Sequence, residues 1–267
     1  MADFHRGFED IDRSSQERAF FRFLDLADSL PSVTAYRNRM LELCPVTKGC
    51  TALDVGCGLG SECARIVDFA GQTGRVIGID ISQSMILEAR RRTGELGLPL
   101  TFEIGDAHSL PFEGESFDLT RAERVLLYLD APDKAIAEMA RVTRSGGHLV
   151  IFDLDYGTFF IDSDFDTMTR RIEALVASDP RNPAMARSLP HLMRKTGLAI
   201  DAIEPMVLRP TVEIARRIYA GPISKGIENR DISAEEVDAW WREQEFMERS
   251  GKLYHAFGGY VVAATKP

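Results

Sequence analysis

The 267-residue chain is predicted to fold as an α/β protein built on a mostly parallel sheet. Three observations lead there. Short apolar runs alternate with amphipathic helical patterns through the middle of the chain, as crossover-connected parallel strands require. Runs such as His148-Leu149-Val150-Ile151-Phe152 are apolar almost throughout, which suits strands buried on both faces. The composition, 45% hydrophobic and 27% charged, is that of a chain able to bury a full core.

Each element has its own signal. Residues 50–55 form the first apolar run and end in glycines. The second run, 75–81, closes on an acid. The third, 100–104, is followed by Gly105-Asp106. The fourth and fifth cover 116–122 and 147–154. Ser82 is placed to cap a helix over 83–96, whose Met85, Ala89 and Leu96 share one stripe and which Gly97 stops. Asp130 and Pro132 open a helix running to Val142, and Ser145-Gly146-Gly147 turns into the fifth strand. Beyond it, 164–177 and 185–196 read as helices and 199–208 as a sixth strand. Ser233-x-x-Glu236 is a capping box for a helix ending near Gly251, and 257–264 is the last strand. No internal repeat, low-complexity tract or long linker interrupts the pattern. Residues 1–267 are therefore expected to be one domain, with an N-terminal helical cap (1–43), a cofactor-binding core (50–155), the rest of the sheet (156–210), a helical insertion (211–250) and the last strand (251–267).

The formal charge of −9 lacks the basic footprint of a nucleic-acid binder, and Arg90-Arg91-Arg92 reads as a solvated helix end. Residues 1–22 contain no apolar segment of the secretory kind. No run approaches the roughly 18 apolar residues of a membrane span. Cys44, Cys50, Cys57 and Cys63 are not arranged in CxxC pairs, so zinc is not expected. A cytoplasmic protein with free thiols is the expectation.

Chemistry concentrates at the strand ends. Asp54-Val55-Gly56-Cys57-Gly58-Leu59-Gly60 follows the first strand and precedes a helix; glycines there allow a tight turn and bring backbone N–H groups close to a ligand. The dinucleotide fingerprint would need glycine at position 61, which is Ser61. Asp80 ends the second strand, where a carboxylate can accept both hydroxyls of a ribose. Gly105-Asp106-Ala107 places an acid after the third strand, within reach of an adenine amine. Phe117-Asp118-Leu119 forms a short apolar-acid-apolar strand beside them.

These elements, in this order, resemble the class I S-adenosylmethionine-dependent methyltransferases, nearest to the branch with the ubiquinone/menaquinone C-methyltransferases. Leu53-Asp54-Val55-Gly56-Cys57-Gly58, Gly78-Ile79-Asp80-Ile81-Ser82, Gly105-Asp106-Ala107 and Leu110-Pro111-Phe112 carry the likeness. So do Ser116-Phe117-Asp118, Glu138 and the run from Arg141 to Gly147, with Ser145 where proline is usual. The resemblance implies a Rossmann-like seven-stranded sheet with an antiparallel last strand and helices on both faces, and S-adenosylmethionine as methyl donor. It implies cofactor roles for Gly56, Cys57, Gly58 and Asp54 near the methionine end, Asp80 on the ribose, and Gly105, Asp106 and Ala107 at the adenine. Ile81 and Met85 would sandwich the ring, while Tyr36 and Arg37 would lie toward the donor's carboxylate; Arg121 is a further cofactor-binding candidate.

Methyl transfer from a sulfonium is a direct displacement, so positioning and exclusion of water matter more than a base. Polar candidates beyond the strand ends are Arg121, Glu123 and Arg124, then Asp153, Asp155 and Tyr156; Arg121, Asp155 and Tyr156 are the catalytic candidates. His108 and His255 are further bases to consider. Phe20, Phe21, Phe23 and residues 158–161 are candidates for an apolar wall. Asp153 and Asp155 lack a third oxygen ligand at a suitable spacing, so no metal is expected. The leading expectation is a methyltransferase acting on an O, N or C atom of a small, partly apolar metabolite, with neither nucleic acid nor membrane as partner. A non-catalytic S-adenosylmethionine-binding protein and an NAD-linked oxidoreductase are the alternatives.

Overall fold

A computed structural model describes residues 11–13, 17–94, 97 and 99–267. The strands β1 (Thr51–Val55), β2 (Arg75–Asp80), β3 (Leu100–Ile104), β4 (Phe117–Glu123), β5 (Thr143–Ile161), β6 (Ala199–Leu208) and β7 (His255–Thr265) form one sheet. Its order is β3-β2-β1-β4-β5-β7-β6. The neighbours from β3 to β5 are parallel. Only β7 runs against the rest, inserted between β5 and β6 and antiparallel to both. The apolar runs read as central strands are buried throughout, with Leu53, Ile77, Ile79 and Ile151 at most 1% exposed.

The helices are α1 (Glu17–Asp28), α2 (Pro31–Leu43), α3 (Ser61–Ala70), α4 (Gln83–Thr93), α5 (Pro132–Val142), α6 (Asp166–Ala177), α7 (Met185–Lys195), α8 (Val212–Glu228) and α9 (Ala234–Arg249). α3 and α4 pack on β1–β3, α5 on β4 and β5, and α7 on β5–β7. α2 also lies on β5–β7, where the Tyr36 ring stacks on Phe152 at 3.8 Å. α6, α8 and α9 pack on one another, and α1 leans on both α2 and α8. Among the described residues no helix is long and apolar enough to cross a membrane.

The caps follow the sequence signals. Ser82 Oγ accepts the Met85 N–H at 3.2 Å, and Ser233 with Glu236 forms a reciprocal capping box. α4 ends at Thr93, earlier than the stripe suggested, and Leu96 lies outside the described residues. β5 is far longer than the expected 147–154. Gly146 donates to the Lys266 carbonyl, Thr143 pairs with Phe117, and pairing to β7 continues to Ile161 across an irregularity. Partners on both sides thus extend a strand beyond its apolar run, and residues 158–161 belong to it.

Candidate functional site

The strand order reverses between β1 and β4, and in such sheets a ligand crevice opens outside the carboxyl ends at that point. A cavity of about 410 Å³ lies there. Its floor is the glycine turn after β1. Gly56 and Gly60 sit at φ 72° and 76°. A Cβ at Gly56 would stand 2.3 Å from Val125 Cγ2, and one at Gly60 2.4 Å from Phe102 Cζ, so neither position tolerates a side chain. The turn's amides are used internally: Gly56 and Cys57 both donate to the Ile79 carbonyl, at 2.8 and 2.9 Å, and Gly58 donates to Asp80 Oδ2 at 3.0 Å. These three N–H groups tie β1 to β2 instead of facing a ligand. The glycines supply bare backbone.

Asp80 therefore has a structural task besides any ligand. Its other oxygen accepts the Ser82 N–H at 2.9 Å. Burial raises its pKa against the pull of the two amides. Ile81, 65% exposed, and the buried Met85 both line the cavity. Gly105, Asp106 and Ala107 line it as well. Asp106 Oδ1 already accepts the His108 N–H at 2.8 Å and lies 2.7 Å from the His108 Nδ1, which places this histidine in the same wall.

At the opposite end the cavity is ionic. Glu123, at the end of β4, accepts the Tyr36 hydroxyl at 2.5 Å, Arg37 Nε at 2.9 Å and Arg121 Nη2 at 2.7 Å, and pairs with Arg124 at 3.1 Å. Burial alone would raise its pKa, but the three guanidiniums hold it well below the usual range. Arg121, 2% exposed, also reaches both oxygens of Asp54 at 3.1 Å. Burial pushes Asp54 up to about 6 despite that partner. Arg37 bonds Asp28 at 2.8 Å, and Asp28 accepts the Ser61 hydroxyl at 2.8 Å. The residue standing where a dinucleotide site would carry glycine thus fastens α1 to the glycine turn. Among the described residues, seven carboxylates and four guanidiniums line the cavity.

Several expected residues lie elsewhere. Tyr36 is fully buried behind Glu123 and does not reach the cavity wall. Asp155 is held by Arg187 and by the Gly157 N–H at 3.0 Å, outside the cavity. Tyr156 lines a second, smaller cavity. Asp153 accepts the Leu127 and Leu154 N–H groups at 3.1 and 2.9 Å, and burial pushes it up to about 7. Together with Asn182, whose side chain donates to the Leu126 and Leu129 carbonyls, it grips the turn Leu126–Tyr128 from both sides. Asp118 sits at the amino end of the sheet, accepting the Thr51 N–H at 2.6 Å and pairing with Arg144. His255 is buried against Tyr219. Among the described residues no group of three His, Cys, Asp or Glu side chains is arranged to hold a metal ion.

Residues 46–205, more than half of the chain, match a methyltransferase-domain family. The chain belongs to that family. The chain is 35% identical over 185 residues to an uncharacterised 37.1 kDa protein in transposon TN4556 of Streptomyces fradiae, covering 69% of this chain and 53% of that one. It is 34% identical over 125 residues to the demethylmenaquinone methyltransferase of Bacillus licheniformis, covering 47% and 53%. The chain spans about half the length of these curated relatives. A putative methyltransferase structure from Bacillus halodurans superposes with a TM-score of 0.63 at 16% identity, over 86% of this chain and 98% of that one, and shares the fold.

Two parts of the methyltransferase domain's cavity were not legible in sequence. Ile11 lines it, and the neighbouring Asp12 caps α4 from a distant stretch of chain. Asp28 and Glu62 join the ionic end from α1 and α3. The available signal for that end was charge inside a strand: Arg121 and Glu123 lie at the carboxyl end of β4, and buried charges require partners.

Proposed function

We propose that the chain transfers the methyl group of S-adenosylmethionine to an O, N or C atom of a small, partly apolar metabolite by direct displacement. The carrying observation is the charge of the cavity at the switch point. Among the described residues, seven carboxylates against four guanidiniums suit a donor with a positive sulfonium and disfavour the pyrophosphate of a dinucleotide. Asp80 would accept the ribose hydroxyls, each of its oxygens having taken one backbone amide. Asp106 and the Ala107 amide would hold the adenine edge, with Ile81 and Met85 on its faces. Gly56, Cys57 and Gly58 would let the methionine portion lie against backbone, with Asp54, Arg37 and Arg121 toward its charged end.

When bound, the donor supplies a methyl group already activated on sulfur. The residues here orient it and keep water away, a contribution worth roughly 7–11 kcal/mol in favourable cases. The first two helices and the 211–250 segment would serve as the cap. Calorimetry with S-adenosylhomocysteine and NAD tests the donor, and transfer of labelled methyl into a metabolite extract tests the reaction. Binding of NAD without binding of S-adenosylhomocysteine would overturn the reading.

A further inference from the structure

All four cysteines are buried free thiols, but they stand in two different settings. Cys44 and Cys50 do not line the large cavity, and burial pushes them up to about 12 and about 11. Cys57 lines that cavity from the glycine turn, and its thiol is hydrogen-bonded to that of Cys63 at the start of α3. Cys63 Sγ in turn reaches Asp54 Oδ2 at 3.4 Å, so a carboxylate stands at the far end of the pair. Burial raises both thiols, yet the bond from Cys63 opposes that rise at Cys57 and favours its thiolate. Asp54, pushed up to about 6, can take a proton from Cys63. Cys57 is also tightly seated. A Cβ at Gly78 would stand 2.8 Å from its sulfur, and its N–H donates to the Ile79 carbonyl at 2.9 Å. A sulfur drawn toward Cys63 leaves that seat against β2 and pulls on the floor of the cavity.

We propose that Cys57 and Cys63 are a modification site for a hydroperoxide, which joins them in a disulfide and thereby weakens donor binding. The effect on binding rests on the donor reading above. With hydrogen peroxide, the Cys57 sulfur attacks one peroxide oxygen. The sulfur–oxygen bond forms, the oxygen–oxygen bond breaks, and the thiol proton leaves with the departing oxygen as water. Cys57 is then a sulfenic acid, its added oxygen facing the cavity. The Cys63 sulfur attacks it and passes its proton to Asp54. The disulfide forms as hydroxide leaves, and the hydroxide takes that proton away as a second water. Two thiols are oxidised, one peroxide is reduced, and no net charge is left in a buried place. A ligand in the cavity covers Cys57, and the disulfide reshapes the ligand's seat, so oxidation and binding oppose each other.

The test is mass mapping of the full chain after limiting hydrogen peroxide, with S-adenosylhomocysteine calorimetry before and after. Trypsin releases residues 49–65 as one peptide, so fragment ions must assign the bond within it. They should join Cys57 to Cys63, two hydrogens lighter, with Cys50 and Cys44 still reduced. Cys63→Ser should hold Cys57 as a sulfenic acid that dimedone traps, and Cys57→Ser should leave Cys63 unoxidised. S-adenosylhomocysteine should slow the oxidation about tenfold, and the oxidised chain should bind it about tenfold more weakly until dithiothreitol restores it. A disulfide through Cys50 or to a second chain, oxidation of Cys57 no faster than of Cys44, or equal affinity in the oxidised and reduced chains would overturn the proposal. A reduced chain that forms the expected disulfide yet never binds S-adenosylhomocysteine would instead overturn the donor reading and leave the thiol site standing.

Discussion

Asp12 holds Ser82 beside the large cavity, which their neighbours Ile11 and Ile81 line. Its carboxylate accepts the Ser82 hydroxyl at 2.7 Å and the Gln83 and Ser84 N–H groups at 2.7 and 3.0 Å. The first turn of α4 is thus satisfied by a residue from the start of the chain, and Ile11 is placed in the cavity wall. Asp12→Ala should lower the stability of the fold by about 1 kcal/mol, the usual worth of such a cap, and weaken S-adenosylhomocysteine binding by releasing Ile11 from the cavity wall. Calorimetry on Asp12→Ala and Ile11→Ala checks this, and unchanged affinity in both would remove the turn from the site.

Asp80→Ala should cost more, because it removes the proposed ribose acceptor and frees two backbone amides. Affinity for S-adenosylhomocysteine should fall by roughly 1.5–3 kcal/mol. Hydrogen exchange at the Gly58 and Ser82 amides should rise even without ligand, since both now donate to Asp80. Parental exchange at Gly58 would show that the turn holds itself.

Arg121→Met leaves Asp54 and Glu123 buried with less compensation, and should destabilise the fold by about 3–5 kcal/mol. Arg144→Met breaks a pair in which the arginine is 59% exposed, and should cost less than about 1 kcal/mol. Denaturant unfolding of the two variants side by side reads the contrast. Equal losses would mean that the buried network carries no special electrostatic burden.

His255 sets a dependence on acid. Burial lowers its pKa to about 4 from 6.5, with Nε2 2.6 Å from the Tyr219 hydroxyl. Between pH 6.5 and 4 the unfolded chain therefore binds a proton that the native chain refuses, and stability falls as pH drops through that window. The full loss is about 3 kcal/mol. Asp153, pushed up to about 7, slopes the opposite way below that pH, so the readout is the parent minus His255→Gln difference. A difference flat from pH 7 to pH 4 would contradict the assignment.

The sheet was legible because its central strands are continuous apolar runs ending in glycine or an acid, and the helix starts because Ser82 and Ser233 announce them. Strand order is less so: β5 extends well past its apolar run because β4 and β7 offer partners, a property of neighbours rather than of residues 155–161. Gly56, Asp80, Ile81, Met85, Asp106 and Arg121, expected on the cofactor side, line one cavity. Asp155 and Tyr156 do not: the apolar run put them just past a strand end, but β5 continues through them to Ile161. Arg187 lies on α7 and takes up the Asp155 charge, a pairing with no local pattern to betray it. Asp12 was equally hidden, since a cap supplied from 70 residues away has no spacing rule.

Placing β7 between β5 and β6 has a consequence for the order of assembly. On a ribosome the parallel strands β1 to β5 emerge first and can close the donor half of the sheet unaided. β6 follows but has no strand to join, because its sole neighbour in the finished sheet is β7. Until the final segment is made, β5 and β6 both present open edges, the feature by which nascent chains stick to one another. Deleting the last strand should therefore yield a chain that aggregates during synthesis, and a pulse-labelled chain should gain protease resistance in two stages, β6 becoming protected only with β7.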